Sequence, residues 1–250
     1  MTGIILNRVT VEFQVHSPQS RSLRAALASQ LGGALTRHED VVRVRALDDL
    51  TLRLEEGDRL GLVGANGAGK TTLLRVIAGV YPPLRGEALV TGRIAAFTDL
   101  TLGMDPEATG WANIVYRCVF LGLSFRQARE LAPSIGDFTE LGEYLDVPVR
   151  TYSQGMQLRL AFAVATAIHP DVLVMDEMIG AGDPHFAGRA AARVDQLMER
   201  SKILVMASHT DEILTAYCNK ALWLERGRAR AFGPIGEILE QYAESRRITG

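Results

Sequence analysis

Cysteine is nearly absent from this 250-residue chain: Cys118 and Cys218 are its only two. That excludes a disulfide scaffold and a four-cysteine zinc site, and both thiols read as small buried apolar residues in a reducing compartment. Long hydrophobic runs are missing as well. The longest, Leu160 to Ile168, covers nine residues and is itself interrupted by Thr166, whereas a membrane helix needs ~20. The opening MTGIILNRVTVEF has no basic region followed by an apolar stretch and a small-residue cleavage site, so no secretory leader is expected. Nor does one sign of charge dominate: 27 basic residues stand against 29 acidic ones, a net of -2. A broad basic field for nucleic acid is thereby excluded, although a local patch survives such averaging. Lysine is scarce, three against 24 arginines, which points to a GC-rich coding sequence and says nothing of substrate. The chain is expected in the cytoplasm, reaching a membrane only through a partner.

What remains is ordinary globular material, 47% hydrophobic and 22% charged, of a length that suits one large domain or one domain with a sub-lobe. Such a chain buries roughly three quarters of the surface its unfolded state exposes. Ile4 to Val15 alternates and is rich in branched residues, the pattern of an edge-type strand. From Ser17 to Asp40 the period changes: Leu23, Leu27, Leu31 and Leu35 recur every four residues, predicting a short amphipathic helix and then a Gly-Gly turn. Strand pattern returns over Val41 to Leu54 and Arg59 to Val63, with a helix expected over Lys70 to Ala78. Two brief strands follow, around Glu87 to Val90 and Arg93 to Phe97. From about Asp99 to His169 the pattern is mainly helical, with breaks expected at Gly110, Pro133, Gly136 and Pro148. Beyond it, apolar strands (Asp171 to Met175, Lys202 to Ala207) alternate with helices, and the end reads as helix, two strands and a last helix from Ile235. Fully apolar strands alternating with helices predict a parallel sheet covered on both faces, interrupted here by a helical sub-lobe.

The run Gly64-Ala65-Asn66-Gly67-Ala68-Gly69-Lys70-Thr71 fits G-x-x-x-x-G-K-[ST] in full and sits between a predicted strand and a predicted helix. Its glycines let the backbone fold into a nest of N–H groups aimed at phosphate oxygens, and the positive end of the following helix adds to that attraction. Lys70 reaches the β and γ phosphates, Thr71 offers its hydroxyl to Mg²⁺, and Thr72 belongs to the same cradle. A buried strand, Val172 to Asp176, then ends in two carboxylates. In a nucleotide site Asp176 holds Mg²⁺ through water and Glu177 orients or deprotonates the attacking water. Tyr152-Ser153-Gln154-Gly155-Met156 precedes a helix expected over Gln157 to Ile168, and His209 follows the strand Ile203 to Ala207. Taken alone, the first is an N-cap and the second a satisfied polar residue.

The order GANGAGKT, YSQGM, VLVMDE, GAGD and SHT resembles ABC-type ATP-binding subunits over nearly the whole chain. The resemblance implies an α/β fold: a P-loop NTPase with a mostly parallel sheet, an N-terminal antiparallel β-lobe and an inserted helical subdomain. It implies one domain over 1–250, with core 1–97 and 170–250, helical subdomain 98–169 and amphipathic insertion about 17–40. YSQGM takes the place of the signature usually written LSGGQ, which Ser153 and Gly155 match and Tyr152, Gln154 and Met156 do not. Asp183 matches the D-loop aspartate, and His209 the switch histidine at the γ-phosphate. The signature Tyr-Ser-x-Gly-Met, the run PEATGWANI (Pro106 to Ile114) and the insertion look like the ATP-binding subunits of polysaccharide exporters, which export O-antigen, capsule, teichoic acid or related polymers. Trp111 and Ala112 depart from that branch's P-E-L-T-G-R-E-N-I. Some members carry a C-terminal glycan-binding β-sandwich, and none is expected here.

Three positions leave two readings open. Asp99 stands where most of the family has the Q-loop glutamine: it contacts Mg²⁺, or it caps a loop away from the metal. Phe13 is the candidate aromatic that stacks on adenine, or a core residue. The helix of Leu23 to Leu35 lies against the membrane partner or the inner leaflet, or packs on the protein's own sheet. The resemblance further implies ATP and Mg²⁺ as ligands and a head-to-tail homodimer with each ATP between one copy's phosphate loop and the other's Ser153 and Gly155. It also implies two copies of a separate multi-span membrane subunit at the cytoplasmic face of the inner membrane, and no nucleic acid. The competing readings are a soluble ABC-type ATPase acting on ribosomes or DNA, and a nucleotide-gated regulator with little turnover, motivated by Asp99 and the altered signature. An importer fits less well, since importers usually keep the glutamine and a closer LSGGQ.

Overall fold

The computed structural model describes residues 2–16, 34–38, 41–97, 103–176 and 184–249. Ten strands are present among them: β1 Gly3–His16, β2 Ala34–His38, β3 Val41–Glu55, β4 Arg59–Val63, β5 Arg85–Thr91, β6 Ile94–Phe97, β7 Val172–Asp176, β8 Ile203–Ala207, β9 Lys220–Glu225 and β10 Arg228–Pro234. The helices are α1 Lys70–Ile77, α2 Gly110–Phe120, α3 Phe125–Thr139, α4 Gln154–Ala165, α5 Pro184–Arg200, α6 Asp211–Tyr217 and α7 Ile235–Thr249. They form two compact units, one of residues 1–98, 170–178 and 201–250, the other of 99–169 and 179–200. The expected division gave α5 to the core, whereas its contacts group it with the helical unit.

In the first unit, six strands run in the order β10-β9-β4-β8-β7-β6. The pairs β4–β8, β4–β9, β7–β8 and β6–β7 are parallel, and only β10 pairs antiparallel. Strands β7 and β8 read VLVMD and ILVMA and are buried almost throughout, as a sheet covered on both faces requires. A separate antiparallel sheet has the order β2-β3-β1-β5. One apolar cluster, including Ile4, Leu6, Leu50, Leu62, Leu73 and Val205, joins residues of both sheets and of α1. The α/β class, the mostly parallel sheet and the antiparallel β-lobe are therefore as the sequence implies.

Residues 34–38 correct the end of the expected helix of Leu23 to Leu35. They form a strand in which Leu35 lies opposite Val44, and Val44 in turn opposite Phe13. The four-residue leucine spacing runs on past the Gly32-Gly33 pair into backbone that pairs with β3. Residues 17–33 and 39–40 lie outside the described residues, so the rest of that expected helix is not placed.

The helical unit packs around Ile114, Cys118, Ala128, Ile135, Leu145 and Leu160. Helix α3 opens with a capping box, Ser124 with Gln127. It runs through Pro133 and Gly136, both expected as breaks. Pro133 lies on the exposed face, where a carbonyl that its ring leaves unbonded is not buried. Gly136 faces inward for a steric reason: a Cβ there would meet Trp111 Cη2 at 2.2 Å. The bulky Trp111, a departure from the branch pattern, is thus matched by an absent side chain on the next helix. The rest of that run is structural as well. Thr109 caps α2 through Ala112 N–H, and the buried Asn113 amide donates to the Asp105, Ala108 and Thr109 carbonyls.

Candidate functional site

Three neighbouring strands end together. Leu62 of β4 and Asp176 of β7 both lie in register with Ala207 of β8. Beyond these carboxyl ends come the phosphate loop, Asp176 itself and the pair Ser208-His209. In open parallel sheets this edge is where ligands bind. The residues line one cavity of about 680 Å³, large enough for a nucleotide. Asn66, Gly67, Gly69, Lys70, Thr71, Thr72, Asp176 and His209 all face it, as does Phe13 of β1. Gly64, Ala65 and Ala68 border a second cavity of about 570 Å³ on the loop's other side.

Local chemistry makes the loop an anion cradle. Gly69 caps α1 at φ 109°, and a Cβ there would meet the Ala46 carbonyl at 2.6 Å, so only glycine closes this turn. Helix α1 then starts with no side-chain cap and no acidic residue in its first turn, leaving its amides and dipole for a negative ligand. Its other face is fixed by Leu73, Leu74, Val76 and Ile77, all buried. Lys70 Nζ donates to the Gly64 carbonyl at 2.6 Å and the Ala65 carbonyl at 3.2 Å, which holds the ammonium over the loop. These features fit a triphosphate. The Thr71 hydroxyl and the Asp176 carboxylate are hard oxygen donors on the same cavity, the set Mg²⁺ takes together with substrate phosphates.

The signature residues belong to the helical unit. Ser153 is the N-cap of α4, its Oγ accepting from Met156 N–H at 3.3 Å. The helix begins at Gln154, three residues before the expected start, because Ser153 supplies the cap and Gly155 does not interrupt the turn. Ser153, Gln154 and Gly155 are exposed and Met156 half-buried. Tyr152, the departure from leucine, is buried and donates its hydroxyl to the Tyr144 carbonyl at 2.5 Å. Burial holds that phenol above the usual tyrosine range. Glu177, Asp183 and Asp99 lie outside the described residues.

Sequence reading missed Tyr81, Arg75, Ala46 and Ser208, which line the same cavity. Ser208 adjoins His209 and was within reach of the motif. The others come from separate elements and carry no motif of their own.

The chain matches the family model described as ABC transporter over residues 47–180. It is 42% identical over 232 residues to the O-antigen export system ATP-binding protein RfbE of Yersinia enterocolitica, covering 91% of this chain and 96% of RfbE. Identity is 35% to the O-antigen export system ATP-binding protein RfbB of Myxococcus xanthus, over 98% of this chain and 56% of that protein. It is 31% to the teichoic acids export ATP-binding protein TagH of Shouchella clausii, over 96% of this chain and 65% of that protein. The chain thus spans less than two thirds of two of these relatives. Among solved structures, a dimeric post-hydrolysis state of the ATP-binding cassette MJ0796 bound to ADP and Pi superposes with a TM-score of 0.65 at 18% identity, covering 93% of this chain and 98% of that one. An ATP-binding subunit of an ABC transporter gives 0.67 at 22% identity, over 96% and 93%. At such identities the likeness is one of fold.

Proposed function

The chain belongs to the ABC transporter family, and we propose that it is the ATP-binding and ATP-hydrolysing subunit of an exporter that moves a cell-envelope polysaccharide or lipid-linked glycan across the inner membrane. The observation that carries the ATPase part is the shared ending of β4, β7 and β8, with Lys70, Thr71, Asp176 and His209 on one cavity. The exporter branch is supported by the match to nearly the full length of RfbE. Residues 1–250 are read as one ATP-binding domain.

In this reading the phosphate-loop amides, the α1 dipole and Lys70 bind the β and γ phosphates, while Phe13 stacks on the base. Thr71 and Asp176 hold Mg²⁺, which when bound offsets charge on the phosphates. Glu177 orients the attacking water or takes its proton, and His209 contacts the γ-phosphate. A second copy, head to tail, offers Ser153, Gly155 and the N-terminus of α4 to the same phosphate, with Asp183 at the junction. Losing that phosphate removes the attraction across the interface, and the halves separate. Closing and opening drive the membrane subunit, two copies per complex, from the cytoplasmic face. No helix among the described residues is long and apolar enough to cross a membrane, so contact with the bilayer runs mainly through the partner.

The helical unit offers that partner a mainly apolar groove of about 450 Å³ lined by Met104, Tyr116, Val119, Phe120 and Phe125, with Asp105 beside them. Phe120 is 82% and Phe125 56% exposed, a concentration of aromatic surface that marks an interaction site. Two measurements test the proposal: Mg²⁺-dependent phosphate release, and co-purification with a multi-span membrane protein. Glu177→Gln is expected to trap an ATP-filled dimer. A chain that stays monomeric with Mg·ATP in that background rejects the head-to-tail mechanism.

A further inference from the structure

One end of the nucleotide cavity is built by three side chains whose contacts form a chain. Phe13 on β1 meets Tyr81 with ring centroids 5.3 Å apart at 72°, an edge-to-face pair. Tyr81 in turn is held by Arg75 in three ways. The Arg75 carbonyl accepts Tyr81 N–H at 3.2 Å as well as Val80 N–H at 2.9 Å. Arg75 Nη1 donates to the Tyr81 hydroxyl at 2.9 Å. The guanidinium carbon stands 5.5 Å from the Tyr81 ring centroid. All three residues are half-buried and line the cavity with Lys70, Thr71 and Thr72.

Arg75 lies on the same short helix as Lys70, five residues on, about 7.5 Å along the axis at 1.5 Å per residue. Both ends of the ligand are therefore referred to one rigid element. The first turn of α1 meets the phosphates, and its last turn, through Arg75 and Tyr81, fixes the Phe13 ring. A half-exposed aromatic on a strand rotates about χ1 and χ2, whereas an edge-to-face partner removes that freedom before the ligand arrives.

We infer that Tyr81 is a positioning residue for the nucleotide base: anchored by Arg75, it sets the face that Phe13 presents to adenine and holds it at a fixed distance from the phosphate loop. This rests on the reading of Phe13 as the base-stacking residue. Tyr81 acts on the base alone, so phosphate binding does not depend on it.

The test is equilibrium binding to the full chain of two probes, ATP and inorganic tripolyphosphate, which has the phosphates and no base. Tyr81→Leu is expected to weaken ATP about three- to tenfold and leave tripolyphosphate unchanged. Tyr81→Phe, which keeps the ring, recovers most of the loss. Arg75→Met weakens ATP in the same direction. Phe13→Ala combined with Tyr81→Leu binds ATP no worse than Phe13→Ala alone, because the second residue works only through the first. Equal loss of ATP and tripolyphosphate in Tyr81→Leu overturns the inference, as does additivity in the double variant. An effect of Phe13→Ala without one of Tyr81→Leu overturns the inference and leaves the base-stacking reading standing. No effect from either removes both.

Discussion

The amide of Gly227 donates to the carbonyl of Ala68 at 2.9 Å, tying the β9–β10 turn to the phosphate loop. The Gly227 carbonyl accepts Asp48 N–H at 2.9 Å, so the same turn is fastened to β3. Arg228 adds a charged clasp on Asp48, Nε at 2.8 Å and Nη2 at 2.5 Å. The phosphate cradle is thus shaped from behind by a hairpin near the end of the chain, and its geometry is a tertiary property.

Gly227→Ala tests that dependence. The residue sits at φ 80°, and a Cβ there would meet the Ala46 carbonyl at 2.7 Å. The left-handed backbone alone costs an L-residue about 1–2 kcal/mol, and the clash moves the turn off the loop. The variant should unfold several degrees earlier and bind ATP several-fold more weakly. Wild-type ATP affinity in a destabilised but folded Gly227→Ala would show that the hairpin only stabilises.

Much of this arrangement is legible in the sequence, because the residues proposed to bind phosphate are carried by short local patterns. Lys70 and His209 follow apolar strands and Asp176 ends one, and strands that alternate with helices end on one edge of a parallel sheet. Tyr81 and Arg75 carry no such pattern: their value comes from Phe13, which reaches them only through strand pairing. Strand β2 was hidden for a similar reason. Five residues are too few for a period of two to stand out, and Leu35 continues a helical spacing by coincidence while its backbone pairs with β3. At Gly136 the helix-breaking tendency, about 1 kcal/mol, is outweighed by the room it makes for Trp111.

Phe120→Asp should separate partner binding from nucleotide chemistry. Phe120 is 82% exposed, so replacing it costs the fold little. A second carboxylate, beside Asp105 in a mainly apolar groove, opposes burial against a partner. Basal phosphate release is expected to stay within about twofold while co-purification with the membrane subunit falls about tenfold or more, the cost of one desolvated charge. Undiminished co-purification would place the docking surface elsewhere.

The two thiols should be silent in the folded chain. Burial pushes Cys118 up to about 11 and Cys218 up to about 12. At pH 8 almost no thiolate exists to attack a reagent, and both groups are buried. Thiol titration is expected to find neither cysteine in the native protein and both after unfolding. Rapid native labelling of either one would mean that its surroundings open locally.

The opposite end of the sheet carries a charge cluster that gives stability a defined pH dependence. Asp171 accepts Arg93 N–H at 2.9 Å and pairs with Lys202 at 3.0 Å, at the amino ends of β6, β7 and β8. Glu56 accepts Thr2 N–H at 2.9 Å and lies 3.8 Å from the same lysine. The Arg93 amide, then Lys202, holds Asp171 below the usual aspartate range, and the Thr2 amide does so for Glu56. Asp171, followed by Glu56, raises Lys202. A carboxylate with a depressed folded pKa stabilises fully above its unfolded value, about 4, and loses that contribution as pH falls through the folded one. The raised lysine stabilises fully below its unfolded value, about 10.4, and loses its share above. Asp171→Asn should therefore cost a small and nearly constant amount between about pH 5 and pH 10, because solvent screens so exposed a pair. That difference should shrink towards acid, where wild-type Asp171 is itself neutral. Urea unfolding of both proteins across this range checks the sign, and a gap that widens as pH falls would refute the assignment. ATP affinity should not change, since the nucleotide cavity opens at the carboxyl ends of the same strands.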